Sequence, residues 1–290
     1  MTPVFRDDLL KNKVAFLTGG GSGIGQTIAE RFAAHGASVV IAGRKKEKLD
    51  LAAEGIRARG GAVSTAVLDV RDYDTVTGAI RQTREAWGEI DIVVCAAAGN
   101  FPAPAIGMSA NGFKSVIDID LLGTFHTLRA SFEHLRKPGA SLINISAAHA
   151  YTPIPFQSHV CAAKAGIDML TKTLAIEWGP AGVRVNCITP GPTDDTEGMR
   201  RLSPTPELRE NVARSVPLRR LGTRDELAGL ALFLCSDAAS FITGAIYPCD
   251  GGHSLTRSGG LDGLFPAGAA WESPGGKAPG GFPRNREIIR

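Results

Sequence analysis

The stretch Thr18-Gly19-Gly20-Gly21-Ser22-Gly23-Ile24-Gly25 joins an apolar run, Val14–Leu17, to an amphipathic pattern that begins near Ile24. Glycine lets a backbone approach a pyrophosphate closely, and a helix N-terminus offers free N–H groups and a positive dipole. A glycine motif is informative when it connects a strand to a helix at the front of a βαβ unit, as it does here. The stretch therefore predicts a nucleotide-binding turn. Its predicted cofactor contacts are Gly19, Gly21, Ser22, Gly23, Ile24 and Gly25.

Apolar runs of strand length alternate with helical patterns along most of the chain. The predicted strands are Val14–Thr18, Ser38–Ala42, Ala62–Leu68, Ile90–Cys95, Ala140–Ser146, Val183–Ile188 and Ala245–Tyr247. The predicted helices are Ile24–His35, Lys45–Arg59, Asp72–Trp87, Asn111–Leu135, Gln157–Trp178 and Arg224–Leu234. Apolar strands that alternate with helices predict a doubly wound parallel sheet with helices on both faces. We expect an α/β fold, with a single Rossmann-like domain over residues 1–252.

Two segments depart from this alternation. Residues 194–215 are polar and contain Pro204 and Pro206; they form either a mobile lid over the substrate or a surface insertion. Residues 253–290 are rich in glycine and proline and lack periodicity. This composition predicts a C-terminal tail that is extended or disordered, or that packs on a neighbouring subunit.

Charge and cysteine content narrow the expected partners. The net charge of the 290 residues is +3, and residues 253–290 supply +2 of it, from five basic and three acidic side chains. The body is therefore nearly neutral, and we expect no nucleic-acid partner. The five cysteines are scattered and form no CxxC pair, which indicates a reducing compartment and no metal site.

The same sequence gives no sign of a membrane or export signal. No apolar run reaches the length of a membrane span, and the N-terminal residues lack the core of a signal peptide. The ending Glu287–Arg290 does not match a peroxisomal address. We expect a cytoplasmic protein without membrane insertion.

The end of the second predicted strand indicates which nicotinamide cofactor binds. A carboxylate there would bind the ribose 2′-hydroxyl and reject a 2′-phosphate. The chain has Gly43 followed by Arg44 and Lys45 instead, and an arginine can bind a phosphate through two hydrogen bonds. NADPH (or NADP) is therefore the expected cofactor, although the two cations are also compatible with the exposed start of a helix. Asp69, with Val70 after it, ends the third strand and is either an adenine contact or a strand-end cap.

With the glycine-rich turn, Lys164 and Pro190-Gly191, residues 11–252 resemble the short-chain dehydrogenase/reductase superfamily. Most members of that superfamily use a serine, a tyrosine and a lysine, with an asparagine on the long fourth helix. The corresponding positions here hold Ala147, Val160, Lys164 and Asp120. Three of these four positions differ, so the chain does not resemble an ordinary alcohol–ketone reductase.

One subfamily resembles the chain more closely. Ala97–Phe101, Asp118–Asp120, His159, and Pro190–Pro192 with Thr196–Gly198 are similar to 2,4-dienoyl-CoA reductases. The similarity is greatest to the peroxisomal type, which also lacks the tyrosine and pairs an aspartate with the lysine. The mitochondrial type has a tyrosine near the position of His149, so the chain departs from that version.

This resemblance implies a reaction and a set of site residues. The reaction is the NADPH-dependent reduction of a 2,4-dienoyl-CoA to a 3-enoyl-CoA in unsaturated fatty-acid β-oxidation, with hydride added at C5. Asp120 would deliver the proton and Lys164 would bind the nicotinamide ribose. The implied acyl-CoA contacts are Phe101, Ser109, Asn111 and Arg201, and further implied cofactor contacts are Ala97, Pro190, Gly191 and Thr193. The long helices that carry Asp120 and Lys164 are expected to form the interface of a homodimer or homotetramer.

Helical spacing independently singles out Asp120. Residues three and four apart share a face of a helix, and Asp120 lies within an apolar stripe, whereas Asp118 points away from it. The stripe consists of Phe113, Val116, Ile117, Thr124 and Leu128. A carboxylate among apolar neighbours must be paired, protonated or facing a cavity. A purely structural, salt-bridged aspartate remains the alternative to a catalytic one.

The sequence alone leaves open the roles of two histidines and two alternative functions. His159 and His149 are possible catalytic residues, since each lies close to an empty position of the usual triad. A histidine in place of the tyrosine would suit a reductase of another acyl thioester or carbonyl, such as a 3-oxoacyl substrate. A protein of another class, a catalytically inactive NADPH-binding sensor or subunit, would also have lost the serine and the tyrosine.

Overall fold

All seven predicted strands form one parallel sheet in the computed structural model, which describes residues 5–256. The strands are β1 (Val14–Thr18), β2 (Ser38–Gly43), β3 (Val63–Val67), β4 (Ile92–Cys95), β5 (Ser141–Ile145), β6 (Arg184–Pro190) and β7 (Ile246–Cys249). Their order across the sheet is β3-β2-β1-β4-β5-β6-β7, and every neighbouring pair is parallel. The order reverses between β1 and β4, which is where a doubly wound sheet opens a crevice for a ligand.

Two separate cores lie on opposite faces of this sheet. Successive side chains of β1 alternate between them: Ala15 and Leu17 belong to one core, and Val14 and Phe16 to the other. The first core packs α1 (Gly23–Ala34), α2 (Lys46–Ala58) and α9 (Arg224–Cys235) on the sheet, and the second packs α3 (Tyr73–Trp87), α5 (Gly123–Ser131) and α6 (Ser158–Trp178). Because a strand presents alternate residues to opposite faces, a sheet buried on both sides needs continuously apolar strands. The predicted α/β fold is confirmed.

The long helix predicted over residues 111–135 differs from the structure. It consists of α4 (Ala110–Val116), a π-helical segment (Ile117–Leu122) and α5, followed by a short 3-10 turn, Phe132–His134. A π-helical turn widens the helix by one residue and is frequent at functional sites. Asp120 lies within this widened segment. A pattern with a period of 3.6 residues does not reveal such a change of pitch.

The polar segment 194–215 contains two short helices, α7 (Glu197–Leu202) and α8 (Pro206–Ser215). Their N-termini are capped by Thr196 and Thr205, whose hydroxyls accept hydrogen bonds from backbone N–H groups. Of the predicted tail, residues 253–256 are described, and His253–Leu255 form a 3-10 turn; the remaining tail residues lie outside the described part of the chain. Within residues 5–256, none of the helices is both long and apolar enough to span a bilayer.

The glycine-rich turn requires glycine for steric reasons. Gly19 has φ of +70°, and a Cβ there would lie 2.6 Å from the Ala96 carbonyl oxygen. At Gly25, in the first turn of α1, a Cβ would lie 2.5 Å from the Gly19 carbonyl oxygen. The turn, the start of α1 and the end of β4 are thus in backbone contact, and no larger residue fits between them.

We predict that Gly25→Ala lowers the free energy of unfolding by about 1–3 kcal/mol, because the added methyl group meets backbone atoms that cannot rotate away. Gly78→Ala is the matched control, since it lies within α3 and a Cβ there has no neighbour within 4 Å. That change should raise stability by about 0.5–1 kcal/mol through helix propensity. Urea unfolding of both variants checks the contrast, and an equal effect of the two changes would contradict it.

Candidate active site

The carboxyl ends of the strands open into a cavity of about 600 Å³. Its two ends differ in chemistry. The cationic end is lined by Arg44, Lys45 and Lys48, beyond β2, and the ion-pair end by Asp120 and Lys164. The glycine-rich turn lies between them, and every cofactor contact predicted within Gly19–Gly25 lines the cavity.

The N-terminus of α1 is suited to binding an anion. Its N-cap residue, Ser22, makes no capping hydrogen bond through its side chain, and its first turn has no acidic residue. The N-termini of α3 and α9, by contrast, are capped by Asp72 and Thr223. The first N–H groups of α1 are therefore free of side-chain caps and face a cavity lined by glycine, which fits the pyrophosphate of a dinucleotide.

The cationic end agrees with the prediction for Arg44 and Lys45 and adds a third cation. All three side chains are exposed, and none forms a salt bridge or hydrogen bond with another described residue. Lys48 is not among the residues predicted from the sequence; it lies in the first turn of α2, three residues after the N-cap residue Lys45. Three unpaired cations around one end of the cavity favour a phosphate ligand there.

Asp69 and Val70 line the same end. The Asp69 carboxylate accepts hydrogen bonds from Arg71 Nε at 3.0 Å and Arg71 Nη2 at 2.6 Å. These bonds hold the pKa of Asp69 below its usual value, with a smaller contribution from the charge of Arg44. The Asp69 carboxylate is thus paired with Arg71. Its negative charge is therefore already compensated and does not neutralise the three nearby cations.

Asp120 and Lys164 form a buried ion pair at the other end. Asp120 Oδ2 lies 3.0 Å from Lys164 Nζ, and the Asp120 side chain has no solvent exposure. Asp120 Oδ1 accepts a hydrogen bond from the backbone N–H of Gly99 at 2.6 Å, and Lys164 Nζ donates to the Ile145 carbonyl at 3.1 Å. Each charged group is therefore held by its partner and by one backbone group, as a buried ion pair requires. Both residues line the cavity.

The two positions that hold a tyrosine and a serine in most members of the resembling superfamily have no hydroxyl group here. Val160 and Ala147 both line the cavity where a tyrosine and a serine are usual, and no tyrosine is among the described residues that line it. The nearby Ser146 also lines the cavity, and its Oγ lies 3.4 Å from the Lys164 carbonyl. Tyr151 lies half exposed, away from the lining.

The two candidate histidines lie in different surroundings. His149 lines the cavity from a short 3-10 turn after β5. His159 is fully buried and does not line it; its ring packs 4.5 Å from the Phe101 ring and 6.5 Å from the Phe113 ring, centroid to centroid. Neither His159 ring nitrogen has a hydrogen-bond partner. Only His149 therefore faces the space that a ligand would occupy.

The predicted substrate contacts are only partly brought together. Arg201 lines the cavity and donates to the Asn100 carbonyl at 3.2 Å and to Glu197 at 2.9 Å. Phe101, Ser109 and Asn111 do not line it. Ser109 instead caps α4, because its hydroxyl accepts a hydrogen bond from the Gly112 N–H at 3.0 Å.

The predicted cofactor contacts at the ends of β4 and β6 are also divided. Ala97 and Pro190 line the cavity, with Thr196, Glu197 and Gly198 of the polar segment 194–215. Gly191 packs against Asp250, where a Cβ would lie 2.5 Å from the Asp250 Cα. Thr193 lines a neighbouring cavity of about 460 Å³.

Comparisons with known proteins agree with this geometry. The family model described as Enoyl-(Acyl carrier protein) reductase matches residues 19–254. A peroxisomal 2,4-dienoyl-CoA reductase of Danio rerio is 42% identical over 266 residues, which cover 91% of this chain and 89% of that protein.

Solved structures show the same relationship. A short chain dehydrogenase from Bacillus anthracis is 44% identical, with a TM-score of 0.78, covering 84% of this chain and 97% of that one. A gluconate 5-dehydrogenase from Burkholderia cenocepacia, in complex with NADP and tartrate, is 32% identical with a TM-score of 0.81. The match covers 86% of this chain and 98% of that one. The chain belongs to the short-chain dehydrogenase/reductase family of nicotinamide-dependent oxidoreductases, and within that family it is similar to 2,4-dienoyl-CoA reductases.

Proposed function

We propose that this protein reduces 2,4-dienoyl-CoA thioesters to 3-enoyl-CoA with NADPH, in the β-oxidation of unsaturated fatty acids. The observation that carries the proposal is the buried Asp120–Lys164 pair in a cavity that has Val160 and Ala147 at the tyrosine and serine positions. The similarity to the Danio rerio 2,4-dienoyl-CoA reductase supports it.

NADPH is favoured over NADH by the charges at the cationic end. Arg44, Lys45 and Lys48 supply three unpaired cations there, and no carboxylate ends β2. A 2′-phosphate on the adenosine ribose would meet positive charge, and a free 2′-hydroxyl would lack the acceptor it usually finds. The related structure in complex with NADP also supports this choice.

The proposed substrate differs from a ketone in where its proton must go. The nicotinamide cofactor, when bound, supplies a hydride, which we assign to C5 of the conjugated thioester. Negative charge then spreads to the thioester oxygen, and a proton delivered to C2 gives the 3-enoyl product. A ketone reductase instead protonates an alkoxide oxygen, which is the usual task of the tyrosine. The missing tyrosine therefore disables ketone reduction more than it disables this reaction.

We assign the protonation of carbon to Asp120. Its Oδ2 lies 3.0 Å from Lys164 Nζ in an ion pair, so a proton can pass between the two groups and then to the substrate, directly or through a water molecule. The Gly99 N–H fixes the carboxyl group through Oδ1. Lys164 also places positive charge beside the developing dienolate and binds the nicotinamide ribose.

His149 is the residue best placed to contact the thioester oxygen, because it lines the cavity and His159 does not. A ring N–H aimed at that oxygen would stabilise its negative charge. Arg201, at the lid, is the proposed partner of a CoA phosphate. Its present partners are the Asn100 carbonyl and Glu197.

We also propose that the protein is a homodimer or homotetramer in the cytoplasm. Apolar side chains along α5 and α6 are exposed in the single chain, among them Phe125, Met169 and Ile176, and a partner subunit would cover them. All five cysteines are free, which is usual in a reducing compartment. Light scattering of the purified protein tests the oligomeric state, and fractionation of the source cells tests the location.

The experiment that tests the reaction follows NADPH absorbance with a dienoyl-CoA and, in parallel, with a 3-oxoacyl-CoA, each also with NADH. We expect turnover with dienoyl-CoA and NADPH, and a product double bond at C3. Turnover of the 3-oxoacyl substrate alone, abolished by His149→Ala, would favour the reductase in which a histidine replaces the tyrosine. Thermal stabilisation by NADPH without turnover of either substrate would favour the inactive sensor.

We predict that Asp120→Asn lowers kcat at least about 100-fold while the Kd for NADPH changes little. The amide still accepts the Gly99 N–H but no longer supplies a proton, and general acid catalysis contributes about 10²–10⁴ in rate. Asp118→Asn is the matched control, since Asp118 pairs with Lys114 at the surface. Stopped-flow turnover and NADPH titration check both variants, and wild-type turnover in Asp120→Asn would remove Asp120 from the mechanism.

We predict that Arg44→Ala raises the KM for NADPH roughly tenfold and leaves the KM for NADH within twofold, because a charged phosphate contact is lost. Lys46→Ala serves as control, since Lys46 pairs with Asp50 and does not line the cavity. An equal rise of both KM values in Arg44→Ala would show that Arg44 does not bind the 2′-phosphate.

A further inference from the structure

His126 lies outside the cavity, but its imidazole contacts one of the residues that line it. The His126 Nδ1 is 2.9 Å from the Val70 carbonyl oxygen, and Val70 lines the cavity. A carbonyl only accepts hydrogen bonds, so Nδ1 carries the proton and donates. The Tyr73 ring packs edge-on against the imidazole, with centroids 5.4 Å apart. The imidazole is therefore fixed from two sides.

Val70 is also in contact with the start of α5. At Gly123, a Cβ would lie only 2.5 Å from Val70 Cγ2, so the helix backbone and the valine side chain are in close contact. Helix α5 directly follows the π-helical segment that carries Asp120. Gly123 and His126 thus attach Val70 to the same continuous helix that positions Asp120.

The backbone before Val70 is held against the N-terminus of α3, whose N-cap residue is Asp72. The Asp69 carbonyl accepts a hydrogen bond from the Asp72 N–H at 3.0 Å, and the Arg71 N–H donates to Asp69 Oδ1 at 3.0 Å. In a trans peptide the N–H points opposite to the carbonyl. The Val70 N–H therefore points away from α3, and it has no acceptor among residues 5–256.

The strand order places Val70 beside the cofactor's adenosine half. Val70 follows β3, and β3 pairs with β2, whose end leads to Arg44 and Lys45. Asp120 and Lys164 lie beyond the point where the strand order reverses, near the end of β5. A dinucleotide whose phosphates lie at the glycine-rich turn would have its adenosine next to Val70.

We propose that His126 is a positioning residue for the adenosine half of the cofactor, acting through the Val70 carbonyl. The imidazole fixes the backbone at Val70, and with it the unpartnered N–H that would meet the adenosine. The proposal deepens the cofactor part of the proposed function and is independent of the thioester substrate. It also makes the helix that carries Asp120 part of the adenosine site.

The test measures Kd values for NADPH, NADH and ADP on the full chain by titration calorimetry, with no thioester present. His126→Ala should weaken all three by the same factor, roughly fivefold, as expected for one lost hydrogen bond. His126→Asn should restore wild-type affinity within twofold, because its amide nitrogen takes the place of Nδ1. His134→Ala is the control, since His134 lies in the turn after α5 and does not line the cavity.

Three results would overturn the proposal. Unchanged Kd values in His126→Ala, with or without a lower melting temperature, would give the histidine a structural role only. Weaker binding of NADPH alone, with unchanged Kd values for NADH and ADP, would place the effect of His126 at the 2′-phosphate. An asparagine variant as weak as the alanine variant would assign the effect to ring packing on Tyr73. Because the titrations contain no acyl-CoA, these outcomes can be distinguished even if the protein does not reduce dienoyl-CoA.

Discussion

A carboxylate with no solvent exposure dictates much of the structure around it. Burying a charge is costly unless a partner and hydrogen bonds compensate it, and removing one partner of a buried pair typically costs about 3–5 kcal/mol. Asp120 is compensated by Lys164 of α6 and by the Gly99 N–H of the loop after β4. Lys164 is in turn tied to the end of β5 through the Ile145 carbonyl. Four separate parts of the chain, counting the π-helical segment that carries Asp120, are therefore fixed relative to one another by this one pair.

The same constraint connects the pair to the cofactor site. Asp120 lies in a π-helical segment, and α5 begins immediately after it. Through Gly123 and His126, α5 contacts Val70, which lines the cationic end of the cavity. The glycine-rich turn joins the arrangement through its backbone contact with Ala96, just before the Gly99 loop. The cavity is thus built from elements that share contacts rather than from independent loops.

The sheet could be predicted from the sequence, because strands buried on both faces are mostly apolar and alternate with helices. Sequence reasoning was also sufficient for the burial of Asp120, since helical spacing placed it among apolar residues. It was insufficient for Lys48 and His126, whose roles depend on which strands are neighbours in space. Ser109 is predicted to contact the substrate, and the structure shows its hydroxyl in the cap of α4. The π-helical segment was missed because hydrophobic periodicity does not report a local change in pitch.

Arg201 shows what a surface contact in the free protein means for ligand affinity. Its guanidinium already donates to the Asn100 carbonyl and pairs with Glu197. In the role proposed for Arg201, a CoA phosphate must exchange with these partners, so the free energy gained is a difference between two sets of hydrogen bonds rather than the full strength of one. Asn100 adjoins Gly99, the partner of Asp120. In the proposed role of Arg201, exchange of its Asn100 contact for a substrate phosphate would change a contact of the loop that holds the acid.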